Sequence, residues 1–297
     1  MKSPPNIHCI GSVLWDTVGR SNYRMGAGHD VPGRIFRVPG GVAMNIAMAL
    51  RGHRVPVSLL TSLGRDDAGR DLLEEAKRRG IETTLVHISD SHPTGQYMAI
   101  EGNNGLIAAI ADTQSLEAEA KSVIEPMRDG RVGSIDTPFR GLVVCEGNLP
   151  LETLEYISCA VEFSEADVRL AAASPAKSKR LKPFFGHPRA TFYVNLTEAN
   201  MLLNAKYKDA KQAAAALIET GVYRAAVTNG ANLAAIVDTD GLHTALPPTV
   251  DVMRVTGAGD VFTASHISAG AKGMVGADAL NFALNQTAIY ISTDTPL

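Results

Sequence analysis

The stretch Val255-Thr256-Gly257-Ala258-Gly259-Asp260 leads from a glycine turn into a helical pattern. Small residues there let backbone N–H groups approach a ligand, and the helix N-terminus adds partial positive charge, so the turn suits an anion. Asp260 in that turn would repel a phosphate unless it removes a proton from the attacking group. An anion cradle beside a base points to phosphoryl transfer onto an alcohol, although an Asp that merely caps a helix after a glycine turn fits the same residues. Nearer the start, Gly40-Gly41 precedes another helical pattern and Asn45 sits one turn in. Gly-Gly permits close backbone approach, and the Asn45 amide offers both a donor and an acceptor. Asp16 follows the first strand, where open α/β sheets place ligand groups. A carboxylate accepting from two vicinal hydroxyls would recognise a sugar. Taken singly, Asp16 as a turn residue and Asn45 as a solvated helix residue fit as well.

Asn195-Leu196-Thr197-Glu198 follows a strand expected over residues 191–194. Asn195 and Glu198 can face one direction and hold a hydrated Mg²⁺ through water, or they can form the common capping pattern of a helix start. Thr228-Asn229-Gly230 follows another strand, where Thr228 and Gly230 could contact nucleotide phosphate. The locally basic run Lys177, Lys179, Arg180 and Lys182 lacks interleaved aromatics and reads as a solvated helix face. There is no GxxxxGK[ST], GxSxG or HExxH. The glycines between positions 26 and 41 form no GxGxxG after a strand, which argues against a nicotinamide-dependent oxidoreductase.

The elements that must position these residues alternate between strand and helix patterns, which predicts a parallel sheet covered by helices. Strands are expected over 7–14, 55–60, 142–145, 168–172, 191–194, 223–228 and 233–237. Helices are expected over 41–50, from Asp66 and Asp67 to Gly80 with Leu72, Leu73 and Ala76 inward, and over 208–220, 258–272 and 277–289. Two stretches break the rhythm. Residues 17–39 are Gly/Pro-rich with little helical period. Residues 95–112 read as a hairpin whose Gly102-Asn103-Asn104-Gly105 turn supplies positive φ angles. Together they predict a small β-sheet lid on residues 17–39 and 95–112, outside an α/β body of residues 1–16, 40–94 and 113–297.

The 297 residues are 45% apolar and 20% charged, ordinary globular values that exclude disorder, collagen and coiled coil. A net charge of −3 argues against a general nucleic-acid partner. No run approaches a membrane span, and the first residues lack the apolar core of a signal peptide, so a soluble cytoplasmic protein is the default expectation. Three widely spaced cysteines without CxxC make disulfide scaffolds and zinc sites unexpected. Cys9 and Cys145 read as buried thiols.

With these residues in place, the sequence resembles the PfkB, or ribokinase-like, carbohydrate kinases over nearly its whole length. The resemblance rests on Pro39-Gly40-Gly41-Val42-Ala43-Met44-Asn45-Ile46-Ala47, on Ser62-Leu63-Gly64-Arg65-Asp66-Asp67-Ala68-Gly69, and on Thr256-Gly257-Ala258-Gly259-Asp260. It implies a Rossmann-like ribokinase fold with a β-sheet lid, MgATP as phosphoryl donor and a sugar or nucleoside hydroxyl as acceptor. By matching position, Asp260 resembles the catalytic base and Gly257, Ala258 and Gly259 the anion hole. Asp16, Gly40, Gly41 and Asn45 resemble substrate contacts, and Asn195 and Glu198 the motif that organises Mg²⁺ and phosphate. Within that family, four stretches resemble pseudouridine kinases: Val31-Pro32-Gly33-Arg34, residues 106–112, Glu146-Gly147-Asn148-Leu149-Pro150 and Ser174-Pro175-Ala176-Lys177. The implied reaction is phosphorylation of a ribosyl 5′-hydroxyl, with pseudouridine as acceptor. Ribose, a ketohexose, a 2-keto-3-deoxy sugar acid, another nucleoside, or a catalytically weak sugar-binding regulator stay open. Two positions depart from the family. Arg254 stands where relatives often carry an Asp of a monovalent-cation site, which puts K⁺ activation in question and would supply local positive charge instead. Met44 stands where relatives frequently carry Arg, which would alter contacts beside the sugar. An exposed lid face also suggests a homodimer through the lid.

Overall fold

The computed structural model describes residues 6–293. Strand β1 (Ile7–Ile10) opens a large sheet, while β2 (Leu14–Arg20) and β3 (Arg34–Gly40) pair antiparallel outside it. Next come α1 (Val42–Gly52), β4 (Ser58–Leu60), β5 (Ser62–Gly64), α2 (Asp67–Arg78) and β6 (His87–Ser89). Strands β7 (Gln96–Gly102) and β8 (Gly105–Asp112) complete the small sheet, and two short helices, α3 (Gln114–Ala118) and α4 (Ala120–Ile124), lead back to the body. The body continues through β9 (Leu142–Glu146), α5 (Leu151–Cys159), β10 (Asp167–Ala171), a 3₁₀ stretch Pro175–Phe184 and β11 (Ala190–Asn195). It ends with α6 (Leu196–Leu203), α7 (Ala210–Glu219), β12 (Arg224–Thr228), β13 (Ala234–Asp238), β14 (Gly241–Ala245), α8 (Ala258–Ala271) and α9 (Gly276–Ile291).

Among the described residues the large sheet runs β14-β13-β12-β11-β10-β9-β1-β4. It is parallel from β4 to β12, with β13 and β14 antiparallel at the edge, as the ribokinase-like α/β expectation requires. Parallel strands are covered on both faces and therefore read as unbroken apolar runs. Ile10, Val143, Val168 and Phe192 face a core completed by α5, α6, α7 and the 3₁₀ stretch. Cys9, Leu59 and Val144 face one completed by α1 and α8. Cys9 and Cys145 are buried thiols, and Cys159 is exposed. No helix among the described residues is long and apolar enough to cross a membrane.

Several expectations need correction. The strand predicted over 7–14 is two strands in two sheets: the chain leaves β1 after Ile10 and enters the small sheet at Leu14. Residues 17–39 contain most of β2 and all but the last residue of β3, and the small sheet, ordered β3-β2-β7-β8, begins at Leu14 rather than at residue 17. In the turn between β7 and β8 only Gly105 has a positive φ, +97°. A bulge between Ile100 and Glu101 and the Asn104 side chain, bonded to Met25 N and O at 2.9 Å each, shape the rest. The basic 177–182 run is not simply solvated. Arg180 donates to the carbonyls of Gly147, Asn148 and Leu149 at 3.1, 3.4 and 3.3 Å, so its charge braces a loop that ends β9. Strand β14 went unread because Gly241 to Ala245 has a half-exposed alternation with little apolar content.

Candidate active site

The carboxyl ends of β9, β11 and β12, the start of β2 and the first turns of α1 and α8 come together at the carboxyl end of the sheet, where open α/β proteins bind ligands. Asp260 lies in the first turn of α8, whose cap Gly257 is left-handed (φ +81°). A Cβ on Gly257 would also lie 2.8 Å from the Tyr290 hydroxyl, so the turn is built for glycine. The Ala258 N–H donates to the Val255 carbonyl at 3.1 Å. The N–H groups of Gly257, Gly259 and Asp260 find no acceptor among the described residues and remain available to an anion.

Asn45, one turn into α1, donates its Nδ2 to Asp260 Oδ2 at 2.8 Å across 215 residues of sequence. That bond turns one carboxylate oxygen toward α1 and leaves the other free. Asp16 belongs to β2 itself, not to a turn after the first strand, and its carboxylate covers Gly40: a Cβ there would lie 2.2 Å from Asp16 Oδ2. A Cβ on Gly41 would lie 2.4 Å from the Ser12 carbonyl. The Gly-Gly pair is thus the gap through which Asp16 and the β1–β2 crossing approach the start of α1.

Burial pushes the Asp260 carboxyl up to about 7. The Asn45 bond opposes this, and the charges of Glu146, Glu198 and Asp16 add to it. Burial also raises Asp16 to about 6. A base near 7 is poised for proton abstraction at neutral pH. The direction matters: below that value the carboxyl is protonated and takes no proton. We therefore expect kcat/KM to rise with pH and level off above a midpoint near 7; a profile flat between pH 5 and 8 contradicts the assignment.

Asn195 and Glu198 form a reciprocal capping box at the start of α6. Asn195 Oδ1 accepts from Glu198 N at 2.9 Å, and Glu198 Oε2 accepts from Asn195 N at 2.8 Å. Asn195 pairs in register with Thr228 on β12, placing both at adjacent strand ends. Gly230 sits on an exposed turn (φ +57°), with nothing within 4 Å of the Cβ it lacks. No contact ties it to the other candidates.

Two side chains singled out as departures from the family have definite surroundings. Met44 of α1 is fully buried in the core that α1 shares with α8. Arg254 donates Nε to the Thr293 carbonyl at 2.8 Å and lies 5.0 Å over the ring of Tyr290, whose hydroxyl donates to the Thr256 carbonyl at 3.0 Å, so its charge stands one side chain away from the glycine turn. Sequence reasoning assigned no role to Glu146, which is enclosed at the end of β9. Its carboxylate accepts from Ser12 N at 2.8 Å and Asn148 N at 2.7 Å, and burial raises its pKa. Asn148 in turn donates to Ser12 Oγ at 3.1 Å and accepts from Lys177. An acid closing a wholly apolar strand was the available signal.

Residues 5–294 match the pattern of the pfkB family carbohydrate kinases. The chain belongs to that family. It is accordingly a phosphotransferase with an alcohol as acceptor. This pfkB protein is 25% identical over 301 residues to a pseudouridine kinase of Escherichia coli, covering 99% of this chain and 93% of the relative. It is 29% identical over 181 residues to an uncharacterized sugar kinase of the same species, a match spanning 47% of that relative. Among solved structures it superposes on a carbohydrate kinase from Agrobacterium tumefaciens with a TM-score of 0.80 at 25% identity, covering 98% and 92% of the two chains. It shares its fold with an Arabidopsis thaliana ribokinase complexed with ribose and ATP (TM-score 0.75, 18% identity, 99% and 94% covered).

Proposed function

We propose that this pfkB kinase transfers the γ-phosphoryl group of ATP to the 5′-hydroxyl of a ribosyl nucleoside, pseudouridine. The observation that carries the reading is the Asn45–Asp260 bond, which holds a raised-pKa carboxylate beside the glycine turn and within the electrostatic reach of Asp16. Asp260 takes the hydroxyl proton through its free oxygen as the alcohol attacks. The N–H groups of Gly257, Gly259 and Asp260 receive the charge that spreads over the migrating phosphoryl oxygens. Asp16 accepts from the ribose hydroxyls, and Asn45 fixes the base opposite them. Asn195 and Thr228, at adjacent strand ends, would face the nucleotide, with Gly230 on the exposed turn that follows Thr228. Among the described residues no three His, Cys, Asp or Glu side chains come together as a direct metal site. A Mg²⁺ here would be held by Glu198 through water, and when bound it neutralises phosphate charge. The small sheet closes over the sugar as a lid and excludes water, which limits ATP hydrolysis.

Support for pseudouridine comes from the E. coli relative and from the Glu146–Asn148–Lys177 network, in which two stretches that resemble pseudouridine kinases come together beside Ser12. The test is a panel of pseudouridine, uridine, adenosine, ribose and fructose with MgATP, read as ADP release. Pseudouridine should give the highest kcat/KM; a better acceptor in that panel replaces it.

One face of the lid sheet carries Ile35 (80% exposed), Met98 (52%), Ile100 (41%) and Ile110 (72%), the face opposite Asp16 by strand alternation. We place a second copy of the chain on it. Sedimentation should show a dimer that Ile110→Lys converts to monomer; a monomeric parent protein contradicts this.

A further inference from the structure

At the opposite edge of the large sheet, the amino ends of its strands border a second cavity of about 820 Å³. Parallel register sets Arg169 of β10, Thr191 of β11 and Arg224 of β12 side by side on one face. The carboxyl half of α8, from His266 to Ala271, forms the opposite wall. This is the end of α8 remote from Asp260, so the cavity is no part of the site described above.

The charges there do not cancel locally. Arg169 and Arg224 share one carboxylate, Asp167, at 2.5 and 3.0 Å. Arg140 is matched by Glu165 at 2.7 Å. The Arg189 guanidinium at the rim has no carboxylate partner among the described residues and donates to the Glu165 carbonyl at 3.2 Å. One wall therefore holds surplus positive charge. The far end carries Asp238 and Asp240, with Ile236 and Met274 as apolar lining between.

Donors without acceptors collect behind the same wall. Arg169 Nη1 donates to the Tyr193 hydroxyl at 3.0 Å, which then donates to His266 Nδ1 at 2.9 Å. With Nδ1 accepting, the neutral ring carries its proton on Nε2. His266 is neutral because burial, then the nearby Arg169 charge, lowers it to about 4. His266 Nε2, Arg169 Nε, Arg224 Nε and the Thr191 hydroxyl are all buried without a hydrogen-bond partner. Buried donors are normally satisfied; these four are sealed behind the wall, and what the cavity itself meets is the charge of Arg224 and Arg189 in front of them.

We infer that this cavity is a second ligand site that takes a small organic phosphate bearing free hydroxyls. The phosphate lies against Arg169, Arg224 and Arg189, and the hydroxyls donate to Asp238 and Asp240. Guanidinium groups suit phosphate because they offer planar, paired donors. The cavity volume is in the range of small-molecule sites. This inference stands apart from the assignment of pseudouridine as acceptor.

Isothermal titration of the full chain with ribose 5-phosphate, inorganic phosphate and ribose separates the contributions of anion and hydroxyls. Ribose 5-phosphate should bind more tightly than either part. Its affinity should be kept in Asp16→Ala, which alters the other site, and should fall at least about tenfold in Arg224→Gln and in Arg189→Gln. Arg189 is exposed, so its variant tests the site without threatening the fold. Absence of binding at millimolar ribose 5-phosphate, unchanged affinity in both arginine variants, or loss of binding in Asp16→Ala overturns the proposal.

Discussion

Asp260→Asn should lower kcat by about 10²- to 10⁴-fold, the usual contribution of a positioned base, while ATP binding by titration stays near the parent value. The change keeps the shape of the side chain and an oxygen for the Asn45 amide. What it removes is the ability to take a proton. It should also stabilise the protein, with a pH dependence of definite sign. Burial raises the folded-state pKa of Asp260 from 3.8 to about 7, so the folded chain holds this proton more tightly than the unfolded one. The stability associated with the protonated form is complete below about pH 4 and lost as pH rises toward 7. Thermal melts should therefore show Asp260→Asn more stable than the parent at pH 8, with the difference closing as pH falls to 4. Near-full turnover in the variant would remove Asp260 from the mechanism. A stability gain that is the same at every pH would show that its charge is not the cause.

Asp16→Ala should reduce kcat/KM for the acceptor by about 10²- to 10⁴-fold, because two hydrogen bonds to a charged group are lost at about 1.5–3 kcal/mol each. The loss should fall on the acceptor, chiefly in its KM, with the KM for ATP little changed. A second signature separates this from a general disturbance. The Asp16 charge is one of those raising Asp260, so in Asp16→Asn the midpoint of the pH profile should move below that of the parent. An unchanged midpoint together with a raised KM for ATP would place Asp16 on the wrong side of the site.

Much of this was legible in the chain, for physical reasons. The body strands are buried on both faces, so Leu142 to Cys145 or Thr191 to Val194 stand out as apolar runs, and helices such as Asp67–Arg78 announce themselves by an Asp cap and a terminal glycine. The glycine turn before Asp260 was readable because only a small residue tolerates its φ. The crossing between the two sheets was read as one strand: Gly11-Ser12 interrupts the apolar residues of Ile7 to Leu14, but nothing local shows that Ser12 must feed the Glu146 and Gly41 contacts while Leu14 starts another sheet. Glu146 was missed for a related reason. Its role lies in two backbone N–H groups, one of them 134 residues away. Arg254 and Met44 were visible as unusual residues at family positions, but sequence carries no direction for a side chain. One lies over Tyr290 at the end of α9, beside the glycine turn, and the other is in the core.

The central claim is that Asp260 faces the reacting alcohol across from the glycine turn. A crystal structure with the acceptor and a non-hydrolysable ATP analogue tests it most directly. The account expects the primary hydroxyl within about 2.6–3.2 Å of the Asp260 oxygen that Asn45 leaves free, in line with the γ-phosphorus, and the ribose hydroxyls on Asp16. A hydroxyl held by another side chain, with Asp260 turned from the ligand, would contradict it.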